Sequence, residues 1–246
     1  MTNKKNALII GGGSGMGRAA AEALLHEGYR VHAADLSREA CREWIDALGA
    51  RDEDARAYHV DISSSASVTA LFSTIKKQAQ RLDLMVHAAG ILGNTAFIED
   101  MGDDEWRRMM GVNLDGVFFC CREAVRWMKT CESGRIILFS SVAALTPTPG
   151  ALHYSAAKGG VNMLGRTLAK EVARHNIQVN IIAPGYIETP MLKQMPEGFL
   201  KHILKNTPQG RLGTPVEIAA LVSFLASDEA GFFTGQVFSP NGGLVI

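Results

Sequence analysis

The stretch NALIIGGGSGMGRAAAEALL, Asn6 to Leu25, joins a short apolar run to a glycine-rich turn and then to an amphipathic helical run. Glycines there let the backbone turn tightly and approach a ligand, and the following helix offers unsatisfied N–H groups to phosphate. The spacing is not G-x-G-x-x-G, because Met16 and Arg18 stand where a last glycine belongs. Nor is it a nucleotide-triphosphate loop, which would place Lys-Ser/Thr where Arg18 and Ala19 follow Gly17. What remains is Gly11-x-x-x-Gly15-x-Gly17 between a first strand and a first helix, a position that favours dinucleotide phosphates over a bare turn.

The same rhythm continues outward from this stretch. Apolar runs at 29–34, 55–60, 82–88, 134–141, 177–183 and 235–240 read as buried strands. Helical patterns lie between them, near 15–27, 38–48, 65–80, 103–131, 154–175 and 215–227. Repeated β-α order predicts an α/β fold, a single doubly wound parallel sheet of Rossmann type with helices on both faces. No linker or low-complexity segment divides residues 1–246, so one dinucleotide-binding catalytic domain is expected. The Pro/Gly-punctuated segment near 188–213 breaks the rhythm as a substrate lid would.

Composition narrows the class. Among 246 residues, 25 Lys and Arg balance 25 Asp and Glu, which argues against a nucleic-acid partner. No apolar run approaches a membrane span, and Cys41, Cys120, Cys121 and Cys131 show no CxxC spacing. These features predict a soluble, cytoplasmic protein with reduced thiols and no membrane partner. No His/Cys/Asp set has ligand spacing, so no metal is expected.

Asp35 ends the second predicted strand about twenty residues beyond the loop, where a carboxylate can accept both adenosine ribose hydroxyls. Ser37 already suits the N-cap of the next helix, which leaves Asp35 to the ribose. A 2′-phosphate there would meet a like charge, so NAD is the expected cofactor. In HYSAAK, Tyr154 and Lys158 stand four apart on one helix face. An ammonium beside a phenol favours the phenolate, and a phenol so tuned can exchange a proton with a carbonyl or hydroxyl. Ser141, at a strand end, can hydrogen-bond the reacting oxygen, although a strand-end Ser can also merely cap the next segment, as Ser140 could. Asn113 is out of place in an apolar helix and reads as a satisfied buried amide, a functional one, or both. His153 is read as lining the pocket and His87 as a core histidine.

With these motifs in chain order, the sequence resembles the short-chain dehydrogenase/reductase family over essentially its whole length, particularly its oxoacyl-thioester reductase and secondary alcohol dehydrogenase members. Ile10 stands where the family has Thr before the loop, and His87-Ala88-Ala89-Gly90 stands for Asn-Asn-Ala-Gly. The resemblance implies catalytic roles for Asn113, Ser141, Tyr154 and Lys158, with Asn113 holding a water that relays protons to Lys158. It implies cofactor contacts from Gly11, Ser14, Gly15, Met16, Gly17, Asp35, Leu36, Asp61, Ile62, Ala89, Gly90, Tyr154, Lys158, Pro184, Gly185, Ile187 and Thr189. Ser14 replaces the basic residue of many NADP-dependent members. The expected activity is hydride transfer between NAD(H) and a secondary alcohol or ketone, on a small-molecule substrate, by a homotetramer. A non-catalytic NAD-binding sensor or scaffold is the alternative, against which the intact set of four catalytic-type residues argues.

Overall fold

Seven strands form one parallel sheet in this computed structural model, which describes residues 4–190, 192 and 197–246. They are β1 (Asn6–Ile10), β2 (Arg30–Asp35), β3 (Ala55–His59), β4 (Leu84–His87), β5 (Gly134–Phe139), β6 (Ile177–Ile182) and β7 (Val237–Phe238). Their spatial order is β3-β2-β1-β4-β5-β6-β7, so the chain reverses its direction of winding between β1 and β4. The crevice beyond the carboxyl ends at that reversal is where such sheets take ligands.

Both faces are covered, which is why the strands read as unbroken apolar runs. Helices α1 (Gly15–His26), α2 (Arg38–Ala47) and α8 (Pro215–Ala226) pack on one face, where Leu24, Trp44, Ile218 and Val222 meet Ile9, Val31 and Val86. Helices α3 (Ser65–Lys76), α5 (Gly116–Met128) and α6 (Leu152–Val172) pack on the other, where Phe72, Val117 and Val161 meet Leu8, Met85 and Ile136. Each fully buried side chain of this size contributes about 1.5–3 kcal/mol of transfer free energy. Helix α7 (Glu197–Asn206) belongs to the expected lid, but 191 and 193–196 of that segment lie outside the described residues.

The N-termini follow the sequence signals. Ser37 caps α2 by accepting from Ala40 N at 3.2 Å. Thr214 and Glu217 form a reciprocal capping box on α8, with Pro215 in its first turn. The predicted helix at 103–131 is not continuous. It is α4 (Asp103–Met110), one π-helical turn over Gly111–Asp115, then α5. The interruption falls on Asn113, whose amide bonds the loop after β4 instead of facing solvent.

Candidate active site

The glycine loop packs against the end of β4 so tightly that side chains cannot fit. Gly11 has φ +83°, and a Cβ there would stand 2.5 Å from Ala89 N. A Cβ on Gly17 would overlap the carbonyl oxygen of Gly11. Ser14 ends the loop in extended geometry with no side-chain cap to α1, and no acidic residue occupies the first turn. The N–H groups of α1 are thus left to a ligand, and the helix dipole favours an anion there. The loop also has support that the sequence reading missed: Trp44 Nε1 donates to Gly12 O at 3.0 Å.

A cavity of about 660 Å³ runs from this loop across the switch point. Gly11, Ser14, Gly15, Met16, Gly17, Asp35, Leu36, Asp61, Ile62, Ala89, Gly90 and Thr189 line it, as do Arg107 and Arg108, which the sequence reading did not select. Asp35 is held in place by Gly13 N, which donates to Oδ2 at 3.0 Å, and by Ser37 N, which donates to Oδ1 at 3.2 Å. Each carboxylate oxygen keeps a further lone pair for a ribose hydroxyl. Asp61 Oδ1 accepts from Ser63, and Ile62 packs where a Cβ on Gly116 would go. Of the expected cofactor contacts, Tyr154, Lys158, Pro184, Gly185 and Ile187 do not line the cavity. Gly185 N donates to Pro240 O, Pro184 O accepts from Val142 N, and Ile187 is buried.

Lys158 approaches the wall of this cavity at Gly90 without lining it. Lys158 Nζ lies 3.3 Å from where a Gly90 Cβ would be, and Asn113 Oδ1 lies 2.9 Å from the same point. Asn113 is fully buried, accepting from Ile91 N at 2.8 Å and donating to Ile91 O at 2.7 Å. It therefore holds the loop after β4 by both of its polar groups. Ser141 does two things: its Oγ accepts from Ala143 N at 3.2 Å, capping a short turn, and it hydrogen-bonds Tyr154. Ser140 instead donates to Lys158 O at 3.0 Å, fixing the helix that carries the lysine.

The electrostatics differ from the expected phenolate beside an ammonium. Lys158 Nζ donates to Phe139 O at 2.9 Å and stands 5.8 Å from the centre of the Tyr154 ring. Burial lowers the lysine to about 8. Burial pushes the Tyr154 phenol up, the Ser141 hydrogen bond lowers it in part, and Tyr186 raises it further. In this state the phenol holds its proton.

The two histidines also separate. His87 is a core residue, and burial first, with the charge of Lys158 next, lowers it to about 3. His153 does not line the cavity. It is fully buried beneath the loop at Gly93, with Nε2 3.7 Å from Glu105 Oε1. Among the described residues, no three His, Cys, Asp or Glu side chains gather as a metal would require. No described helix is long and apolar enough to cross a membrane.

Comparison with known proteins identifies the family. The family model described as enoyl-(acyl carrier protein) reductase matches residues 11–245. The 3-oxoacyl-[acyl-carrier-protein] reductase FabG of Thermotoga maritima is 36% identical over 242 residues, covering 98% of both chains. The (3R)-3-hydroxyacyl-CoA dehydrogenase of Canis lupus familiaris is 34% identical over 247 residues, covering 97% of this chain and 95% of that one. The crystal structure of levodione reductase superimposes with a TM-score of 0.93 at 32% identity, over 97% and 96% of the two chains. The chain belongs to the short-chain dehydrogenase/reductase family and is an oxidoreductase acting between a nicotinamide cofactor and a hydroxyl or oxo group.

Proposed function

We propose that this oxidoreductase is specific for NAD(H) and interconverts a secondary alcohol and a ketone, either in a 3-oxoacyl thioester or in an alicyclic ring. One observation carries the reading. A single cavity joins the pinned Asp35 carboxylate at one end to Gly90, beneath Lys158 and Asn113, at the other. The residues fit a dinucleotide: the uncapped N-terminus of α1 and the glycines at 11 and 17 suit its pyrophosphate, Asp35 its ribose, and Asp61 and Ile62 its adenine. When bound, the nicotinamide supplies or accepts the hydride.

Tyr154 is the general acid/base in this reading. Its raised pKa leaves it protonated at neutral pH, which suits donation to a carbonyl oxygen and hence reduction. Ser141, already bonded to the phenol, orients the same oxygen from the other side. Lys158, lowered to about 8, sits close to losing its own proton and can replenish the phenol. Asn113 fixes the loop after β4, a wall that would hold the nicotinamide end of the cofactor. In this reading the segment near 188–213, of which Thr189 lines the cavity, would serve as the substrate lid. The names of the relatives supply the substrate classes, since their reactions require the same oxygen-centred chemistry.

We further assign a homotetramer in the cytoplasm. Phe118 and Met163, on α5 and α6, are 47% and 59% exposed and Phe232 is fully exposed, apolar side chains that subunit contacts would cover. The described cysteines are all free thiols, as a reducing compartment keeps them. The test of function is a substrate panel of oxoacyl thioesters and cyclic ketones, followed by nicotinamide absorbance with NADH. Turnover of neither class would reject the substrate assignment, and dinucleotide binding without turnover of any alcohol or ketone would support the sensor reading instead.

A further inference from the structure

A second cavity, of about 280 Å³, opens at the opposite end of the sheet from the cofactor crevice. Its walls are Arg30, His32, Asp52, Glu53, Arg56 and Gln78. Arg30 starts β2 and Arg56 lies near the start of the outermost strand β3, where it pairs in register with His32. Alternation along the strands puts Arg30, His32, Arg56 and Tyr58 on one face.

The charges in this cavity are unevenly matched. Asp52 turns its carboxylate to Arg42 at 3.3 Å, and Glu53 turns its own to Arg51 at 2.5 Å. What these two residues give the cavity arginines is backbone: Arg56 Nε donates to Asp52 O and Arg30 Nε to Glu53 O, both at 2.7 Å. Arg56 Nη1 also donates to Gln78 Oε1 at 2.6 Å, an oxygen that accepts from Tyr58 as well. Neither Arg30 nor Arg56 forms an ion pair with any described residue. Two guanidiniums are therefore held by neutral acceptors around one cavity, while the nearby acids face cations outside it, Arg42 shared by Asp46 and Asp52 and Arg51 by Glu53 and Asp54.

That arrangement suits an anion. Guanidinium forks match phosphate oxygens in geometry, and arginines already ordered by Nε bonds lose little freedom on binding. Burial first, then the charges of Arg30 and Arg56, lowers His32 to about 4, so the imidazole in the cavity wall is neutral at ordinary pH. The volume is at the lower limit of small-molecule sites, which admits a phosphoryl group with few further atoms. We propose that the cleft between Arg30 and Arg56 is a second binding site, separate from the cofactor site, for a small phosphorylated ligand.

The experiment is calorimetric titration of inorganic pyrophosphate into protein saturated with its dinucleotide, at fixed ionic strength. Saturation matters because the α1 N-terminus would otherwise also take the probe. Expected is one saturable site per chain, weakened roughly tenfold or more in the Arg30→Gln/Arg56→Gln double variant, as loss of charge-assisted bonds requires. Lys129→Gln removes one positive charge elsewhere, as each single arginine variant does, and should leave binding unaltered. Arg56→Lys keeps the charge without the fork and should give intermediate affinity, which tests the site even if the double variant folds poorly. Arg51→Gln should also weaken binding, because it frees the Glu53 carboxylate beside the cavity. Absence of saturable binding, or equal affinity in the wild type and the arginine variants, would overturn the proposal. Comparing a phosphate monoester with free phosphate shows whether the site takes an ester or the bare ion.

Discussion

Replacing Asp35 by alanine together with Leu36→Arg should shift the proposed NADH preference towards NADPH. The carboxylate is fixed by Gly13 N and Ser37 N, so it cannot swing away from an incoming 2′-phosphate without giving up both bonds. At a separation of about 5 Å and an effective dielectric of about 20, each pair of unit charges costs about 3 kcal/mol. A phosphate bears roughly −1.5 to −2 charges, for a gross penalty of about 5–7 kcal/mol. Asp35 is only partly buried, and solvent screening reduces this to roughly 2–3 kcal/mol. NADPH also forfeits a hydrogen bond to a charged acceptor, about 1.5–3 kcal/mol more. The sum is a preference for NADH of about three orders of magnitude in kcat/KM. Arg107 and Arg108 do not offset it, because they are paired with Asp103, Asp104 and Glu105 beside Gly111. Leu36 is 68% exposed and lines the cavity, so an arginine fits there without disturbing the core. The assay is kcat/KM with NADH and NADPH on one ketone, for wild type and the double variant, at two salt concentrations. Equal use of both cofactors by the wild type, or preference for NADPH, would refute the reasoning.

Tyr154→Phe should lower kcat by about 10²–10⁴-fold, the usual range for a general acid, with NADH affinity retained in a fluorescence titration. Gly17→Ala forces a Cβ against Gly11 O, so dinucleotide affinity should fall and the protein should lose about 1–3 kcal/mol in thermal or urea unfolding. His87 is held neutral in the fold, down to about 3 from an ordinary 6.5, so protonation favours the unfolded chain and stability falls as pH drops below about 6.5. His87→Leu should therefore flatten the acid limb of the stability profile measured by urea unfolding, and a limb of unchanged slope would exclude His87 as its source. Light scattering at micromolar concentration should give the mass of four chains, and a monomer would remove the subunit role from the exposed Phe118 and Met163 faces.

The features that could be read in the sequence were those imposed by the backbone. Gly11 and Gly17 leave a mark because no other residue fits there, and the β-α alternation leaves one because parallel strands require crossovers. Tyr154 and Lys158 were visible as a pair because four residues of helix put them on one face. The direction in which the lysine points was not visible. Phe139 O, its acceptor, comes from another element and is a backbone atom, so no residue type announces it. The same holds for Trp44 on Gly12 O and for Ser140 on Lys158 O, which join segments far apart in the chain through carbonyls. The π turn at Asn113 was foreshadowed only as an oddity, a polar residue where an apolar one belonged. The burial of His153 depends on how α4 and α6 approach, which periodicity within either helix does not reveal.

Gly90 explains why these separate elements work as one site. It follows β4, carries no side chain, and lies where the cofactor cavity ends. A Cβ there would press on Asn113 Oδ1 at 2.9 Å and crowd Lys158 Nζ at 3.3 Å. The helix turn bearing Asn113, the helix bearing Lys158 and the loop after β4 therefore converge on a volume kept empty by one glycine. Asn113 closes that junction by gripping both polar groups of Ile91, the next residue, while Lys158 is tied to β5 through Phe139. Neither side chain is left to find its position when substrate arrives. Their places are set by backbone groups of the loop after β4 and of β5, and in the mechanism proposed above such preorganisation would let Lys158 serve the reacting phenol without first reorganising its surroundings.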